Sequence, residues 1–141
     1  MNNLQDPTEI TIDPTPAPVA ATKKAALEGE ALAQACANAS YDKKAEDILI
    51  LDVRGLTTIS DFFVICTGNS PPHLRAIRDE VTDQLRVNHG IRTHQRDGNL
   101  ESLWLILDYG DVMVHIFHEE KRKFYALEDL WGDAPRLELK A

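Results

Sequence analysis

The residues of this 141-residue chain best suited to chemistry are a pair of aspartates, a small-residue turn and five histidines. Asp108 and Asp111 bracket Tyr109 and Gly110 in "DYGD". Two carboxylates on a strand can hold magnesium for phosphoryl or nucleotidyl transfer. Here the spacing reads more simply as a hairpin turn, where Asp and Gly are favoured for backbone reasons alone. The second candidate is Gly68-Asn69-Ser70, a turn between an apolar run and a helical pattern. A helix N-terminus after such a turn presents backbone N–H groups that can hold a phosphate. Pro71 and Pro72 follow at once and have no N–H, so two of those donors are missing. A capped helix start is the simpler reading.

The histidines do not converge. His115 and His118 are three apart, which on a strand places them on opposite faces. His73, His89 and His94 fall at a helix start, a helix end and a short strand. No metal or cofactor is expected from them. His115 reads as a hydrogen-bonded interface histidine rather than a general base, because no nucleophile is placed beside it. Cys36 and Cys66 form no CxxC pair, and Cys66 within "FFVICTG" behaves as a small buried hydrophobe. Asp79, Glu80, Lys121, Arg122 and Lys123 read as solvated surface.

Periodicity supplies the elements that position these residues. Residues 1–20 are rich in Pro and Thr without helical or strand period, which predicts a disordered tail. An alanine-rich helix is expected over 22–39, with a thin stripe of Leu27, Leu32 and Cys36. Two strands follow, at 47–53 and 62–67. The clearest helix starts after Ser70 as N-cap, with Pro71 in its first position and Leu74, Ile77, Val81 and Leu85 as its apolar stripe, and ends at Gly90. A short strand is expected near 91–94, then a turn at "RDGN", a hairpin, and a short terminal helix within "HEEKRKFYALEDLW". This order predicts an α+β domain with a mixed sheet of about five strands. Two substantial helices can cover one face of it, not both. The implied organisation is a tail over 1–20, one domain over 21–133 with its core at 44–133, and a loose tail over 134–141.

The hairpin "WLILDYGDVMVHIF" is apolar on both faces, whereas a half-buried strand should alternate. Leu103, Leu105 and Leu107 with Val112, Val114 and Ile116 are assigned to the helix-packed core. Trp104, Ile106, Met113 and Phe117, with His115 among them, are then left on the poorly covered side. Such a patch marks a place where another protein docks. The alternative is that the terminal helix, with Phe124, Tyr125, Leu127 and Trp131, folds back over this side.

A net charge of −8 argues against a protein that grips nucleic acid through phosphates. No apolar run approaches the roughly 20 residues of a membrane span, and the N-terminal stretch has neither a basic n-region nor an apolar h-region. A cytoplasmic location is expected.

The stretches "AEDILILDVRGLTTISDFFVICTGNS", "RAIRDEV", "WLILDYGDVMVHIFHEE" and "FYALEDLWGDA", in this order, resemble the ribosomal silencing factor family, also called the Iojap or YbeB-like family. They cover about two thirds of the chain, from about Lys44 to Asp133. The resemblance implies a non-enzymatic translation repressor that binds the large ribosomal subunit through ribosomal protein L-fourteen and obstructs joining of the small subunit when nutrients are scarce. It also implies a fold similar to nucleotidyltransferases, which carry a Gly-Ser turn followed by an Asp-x-Asp pair on a strand. Gly68-Asn69-Ser70 echoes the turn, but the next acids, Asp79 and Glu80, are adjacent and on a helix. A metal-dependent nucleotidyltransferase or nucleotide-binding protein using that turn with Asp108 and Asp111 is the alternative function. The expected docking surface is Trp104, Ile106, Tyr109, Met113, His115 and Phe117, with Asp108 and Asp111 at its rim. A homodimer formed through the same patch is expected of the free protein.

Overall fold

In the computed structural model, which describes residues 27–99 and 101–140, the sheet is built around its most apolar strand. The elements in chain order are α1 (Gly29–Asp42), β1 (Glu46–Asp52), β2 (Phe62–Gly68), α2 (Pro71–His89), β3 (Gln95–Asn99), β4 (Trp104–Asp108), β5 (Val112–His118), α3 (Glu119–Tyr125), α4 (Leu127–Leu130) and β6 (Arg136–Leu137). They form one six-stranded sheet in the order β3-β4-β5-β2-β1-β6. β2 pairs in parallel with β5 and antiparallel with β1, so the sheet is mixed and the fold is α+β. Five strands match the expectation, and the sixth is the two-residue β6 on the outer edge of β1. All seven residues of β2 are buried, which explains the unbroken "FFVICTG": a central strand covered on both faces has no polar side.

α2 follows its sequence signals. The Ser70 hydroxyl accepts the His73 N–H at 3.2 Å, and Gly90 closes the helix in the left-handed region at φ 67°. α1 departs from them. The expected 1–20 tail and residues 22–26 of the expected helix lie outside the described residues. Within the described chain the helix begins only at Gly29, whose φ of 59° turns the backbone after an extended Glu28.

Two further expectations are corrected. The third strand is not at 91–94 but at Gln95–Asn99, so "RDGN" lies in the strand and the turn to β4 falls beyond it. An edge strand has no partner on its outer side and tolerates the polar composition that read as a turn. The C-terminal stretch is not loose. β6 pairs with β1, the Gln34 and Asn38 side-chain amides donate to the carbonyls of Glu138 (2.8 Å) and Lys140 (2.7 Å), and Lys140 N–H donates back to Gln34 Oε1 at 2.8 Å.

Both faces of the sheet carry a core. On one, Leu32 and Cys36 of α1 and Leu74, Ile77, Val81 and Leu85 of α2 pack against Ile50, Val64, Leu105, Leu107, Val114 and Ile116. Gly68 permits this approach: a Cβ there would lie 2.7 Å from Leu74 Cδ2. On the other, Leu51, Val53, Phe63, Ile65, Phe117 and Ala134 form a second cluster, edged by Leu49, Trp104, Met113, Leu127 and Trp131. The second face is therefore partly roofed by α3, α4 and the chain that follows them, which corrects the expectation that it is poorly covered.

Candidate functional site

The hairpin register places Trp104 opposite Phe117, Ile106 opposite His115, and Asp108 opposite Met113. Directly opposed residues of an antiparallel pair share a face, so the assignment of these side chains to one side of the sheet holds. Their exposure does not match the expected docking surface. Phe117 is 0% and His115 4% exposed, because Trp104, Tyr125 and the neighbouring rings close over them. Tyr109, 5% exposed, belongs to the helix-side core instead. Trp104, Ile106 and Met113 remain half-buried.

The rings form a continuous stack from the sheet to the surface. Trp104 lies on Phe117 at 4.9 Å between centroids and against Tyr125 at 4.7 Å, and Tyr125 meets the edge of Phe124 at 5.1 Å. Phe124 and Leu130 are 74% and 72% exposed, so the stack ends in open apolar surface. The two readings of the terminal segment are each half right: Leu127 and Trp131 roof the sheet, whereas Phe124 points away. The cause is Ala126, whose left-handed φ of 46° breaks the segment into α3 and α4 and splits its apolar residues between two directions. Phe124, Tyr125 and Leu130 are thus surface residues absent from the expected site. A signal existed: "FYALEDLW" carries more apolar residues than a short helix can bury on one side.

Beneath the stack, the Trp104 indole N–H donates to His115 Nδ1 at 3.2 Å. That bond assigns the ring proton to Nε2, which is buried without a hydrogen-bond partner among the described residues. Phe63 stands edge-on at 5.0 Å. Burial in this apolar cage holds the imidazole pKa down at about 4, so His115 is neutral at pH 7.

The residues of the alternative function are engaged in the fold. Asp108 Oδ1 accepts the Gly110 N–H at 2.8 Å, closing the turn, and Asp111 Oδ2 accepts the Gly29 N–H at 3.4 Å at the start of α1. At the Gly68-Asn69-Ser70 turn, Asn69 N–H donates to His73 Nδ1 (3.0 Å), while Ser70 takes the N–H groups of His73 and Leu74. These amides are turned to the protein itself and not to an open anion site. Among the described residues no three His, Cys, Asp or Glu side chains gather into a group that could hold a metal ion. Cys36 and Cys66 are free and buried, and burial pushes both thiols well above their ordinary range.

Arg122 is the cation that sequence reading left on the surface and the fold draws in. Its side chain is 12% exposed; Nε donates to Glu128 at 3.0 Å, and Nη1 to the Asp47 carbonyl (2.5 Å) and the Thr67 hydroxyl (2.8 Å). It ties α3 and α4 to β1 and β2.

A family model described as "Ribosomal silencing factor during starvation" matches residues 26–141. The ribosomal silencing factor RsfS of Bacillus subtilis is 44% identical over 113 residues, spanning 80% of this chain and 95% of that protein. The chloroplastic protein Iojap of Arabidopsis thaliana is 36% identical over 113 residues, spanning 79% of this chain and 46% of that one. Among solved structures, a protein from Bacillus halodurans superposes with a TM-score of 0.65 at 40% identity, covering 77% of this chain and 97% of the other. One from Chromobacterium violaceum gives a TM-score of 0.68 at 27% identity, covering 78% and 90%. The match takes in nearly all of the described fold, including the hairpin and the segment that roofs it, and on that ground the chain belongs to the ribosomal silencing factor family.

Proposed function

We propose that this protein binds the large ribosomal subunit at ribosomal protein L-fourteen and sterically blocks its association with the small subunit, repressing translation under nutrient limitation in the cytoplasm. The observation that carries the reading is the half-buried Trp104 continuing through Tyr125 into Phe124, which is 74% exposed. Exposed apolar surface of this kind marks protein docking, and Trp and Tyr are the residues that most often anchor it. The docking surface is Trp104, Ile106 and Met113 with Phe124, Tyr125 and Leu130, and Asp108 at the rim. His115 and Phe117 support it from below. The protein acts as a regulator and not as an enzyme: a folded body on the joining surface makes subunit association sterically costly. When free, the same face pairs with a second copy, as a self-complementary apolar patch favours.

Trp104→Glu tests this directly. The variant is expected to keep a native circular dichroism spectrum, to stop pelleting with isolated large subunits, and to lose the parent's inhibition of subunit joining. It should also weigh one chain at micromolar concentration where the parent weighs two. Undiminished pelleting of the variant contradicts the docking surface, and a single-chain parent mass contradicts the dimer. A metal-dependent nucleotide activity in the parent, lost on Asp108→Asn with Asp111→Asn, would overturn the regulatory reading.

A further inference from the structure

His115 is an expensive choice for its position. It is 4% exposed among Phe63, Trp104 and Phe117, and its Nε2 has no hydrogen-bond partner among the described residues. A buried donor left unanswered destabilises a fold, and a phenylalanine of similar shape would not carry that penalty. The polar contact the imidazole does make is Nδ1 accepting the Trp104 indole N–H at 3.2 Å. The Phe117 ring, stacked at 24°, and the Tyr125 ring, tilted at 45°, both lie against the indole and restrict the tilt of its plane. A half-turn about the Cβ–Cγ bond keeps that plane but carries the N–H to the opposite edge of the ring, and the hydrogen bond to Nδ1 selects between the two.

We propose that His115 is a positioning residue for docking: its Nδ1 holds the Trp104 indole with the N–H turned inward, so that a partner meets only the hydrocarbon edge and π-face of the ring. This rests on the docking reading above. It follows that Trp104 contributes apolar contact to the large subunit and donates no hydrogen bond to it.

The test compares full-length parent, His115→Phe, His115→Asn and Trp104→Ala in three measurements. These are pelleting with isolated large subunits, thermal melting, and the Trp104 indole N–H resonance, assigned by its loss in Trp104→Ala. His115→Phe removes the acceptor together with the unanswered donor. It exchanges the unanswered imidazole donor for an unanswered indole N–H on the half-buried Trp104. It is therefore expected to melt close to the parent, to shift the indole resonance, and to bind large subunits roughly fivefold to tenfold more weakly, as loss of one positioning hydrogen bond implies. His115→Asn puts an acceptor oxygen where Nδ1 lies while leaving a buried donor, so it should melt lower yet keep the parent resonance and affinity. A histidine that serves only the fold gives the reverse pattern, with affinity following melting temperature, and that result overturns the proposal. So does parent-like binding by His115→Phe. If Trp104→Ala loses binding while His115→Phe keeps it, only the positioning role fails. If Trp104→Ala binds like the parent, the docking reading fails and the positioning role with it.

Discussion

His115 also makes the stability of this protein depend on pH in a predictable sense. Its pKa is about 4 in the folded chain against an ordinary 6.5, the cause being burial, which disfavours the charged form. Above pH 6.5 the ring is neutral in both states and contributes no pH dependence. Between pH 6.5 and 4 the unfolded chain takes up a proton that the folded chain refuses, so stability falls as pH falls. Below about 4 both states are protonated and the loss levels off. The full drop is roughly 3 kcal/mol from this one group. Urea unfolding of the parent and of His115→Phe at pH 7, 6 and 5 isolates it: the parent should lose stability relative to the variant at each step down. Parallel curves would mean that the imidazole is not held neutral. The sequence read this residue as a hydrogen-bonded interface histidine, and its hydrogen bond was legible because an imidazole in so apolar a strand needs a polar partner. That its donor is the indole two strand positions from Ile106, the residue opposite His115, needed the register, which alternation alone does not give when both faces are apolar.

α3 and α4 are too short to persist alone and bury none of their residues fully, so the roof over the second face must be tied down from outside. Arg122 does this, and β1 is shaped to receive it. The register of β1 against β2 shifts between Glu46 and Leu49, and Asp47 sits at φ 50°, so the Asp47 carbonyl faces the guanidinium rather than the ladder. Arg122→Met keeps the aliphatic stem and removes the donors, leaving the Glu128 carboxylate without its cation. Hydrogen exchange of backbone amides across 119–135 should then speed up by about tenfold or more, as loss of interactions worth about 1–3 kcal/mol implies. The central strand β2, buried along its whole length, should change far less. Unchanged exchange in 119–135 would mean that Leu127 and Trp131 hold the roof by packing alone. This element was the least legible part of the site. Within "EEKRKFY" three cations stand in a row, and which one turns inward is decided by a bulge some 75 residues earlier. By contrast α2 was legible from cap to cap, because Ser70, Pro71, the apolar stripe and Gly90 all act locally.

At the scale of the whole molecule, the α+β class and the helix-packed face followed from element order and from the leucine and valine set of the hairpin. What failed were the cover of the second face, which Leu127 and Trp131 partly roof, and the two margins of the sheet. β3 was displaced because an edge strand can be as polar as a turn, and the last residues read as a tail because a two-residue strand leaves no period to detect. Yet that short strand closes the sheet. It covers the outer edge of β1 at Ile50 and Leu51, while Leu137 and Leu139 lean on the helix-side core and Lys140 and Glu138 bond to α1. The C-terminus thereby joins the sheet to α1, whose other end is fastened to the hairpin turn through Gly29 and Asp111. Deleting residues 136–141 removes that closure at one stroke. The three bonds to α1 alone are worth about 1 kcal/mol each, and the bared β1 edge presents free backbone groups beside an apolar strand, the arrangement that invites strand addition by another chain. The truncated protein should therefore melt several degrees lower and scatter light at concentrations where the parent stays clear. Equal melting and equal scattering would return the stretch to the loose tail that its composition suggests, and α1 would then have to be held by its own stripe and by α2.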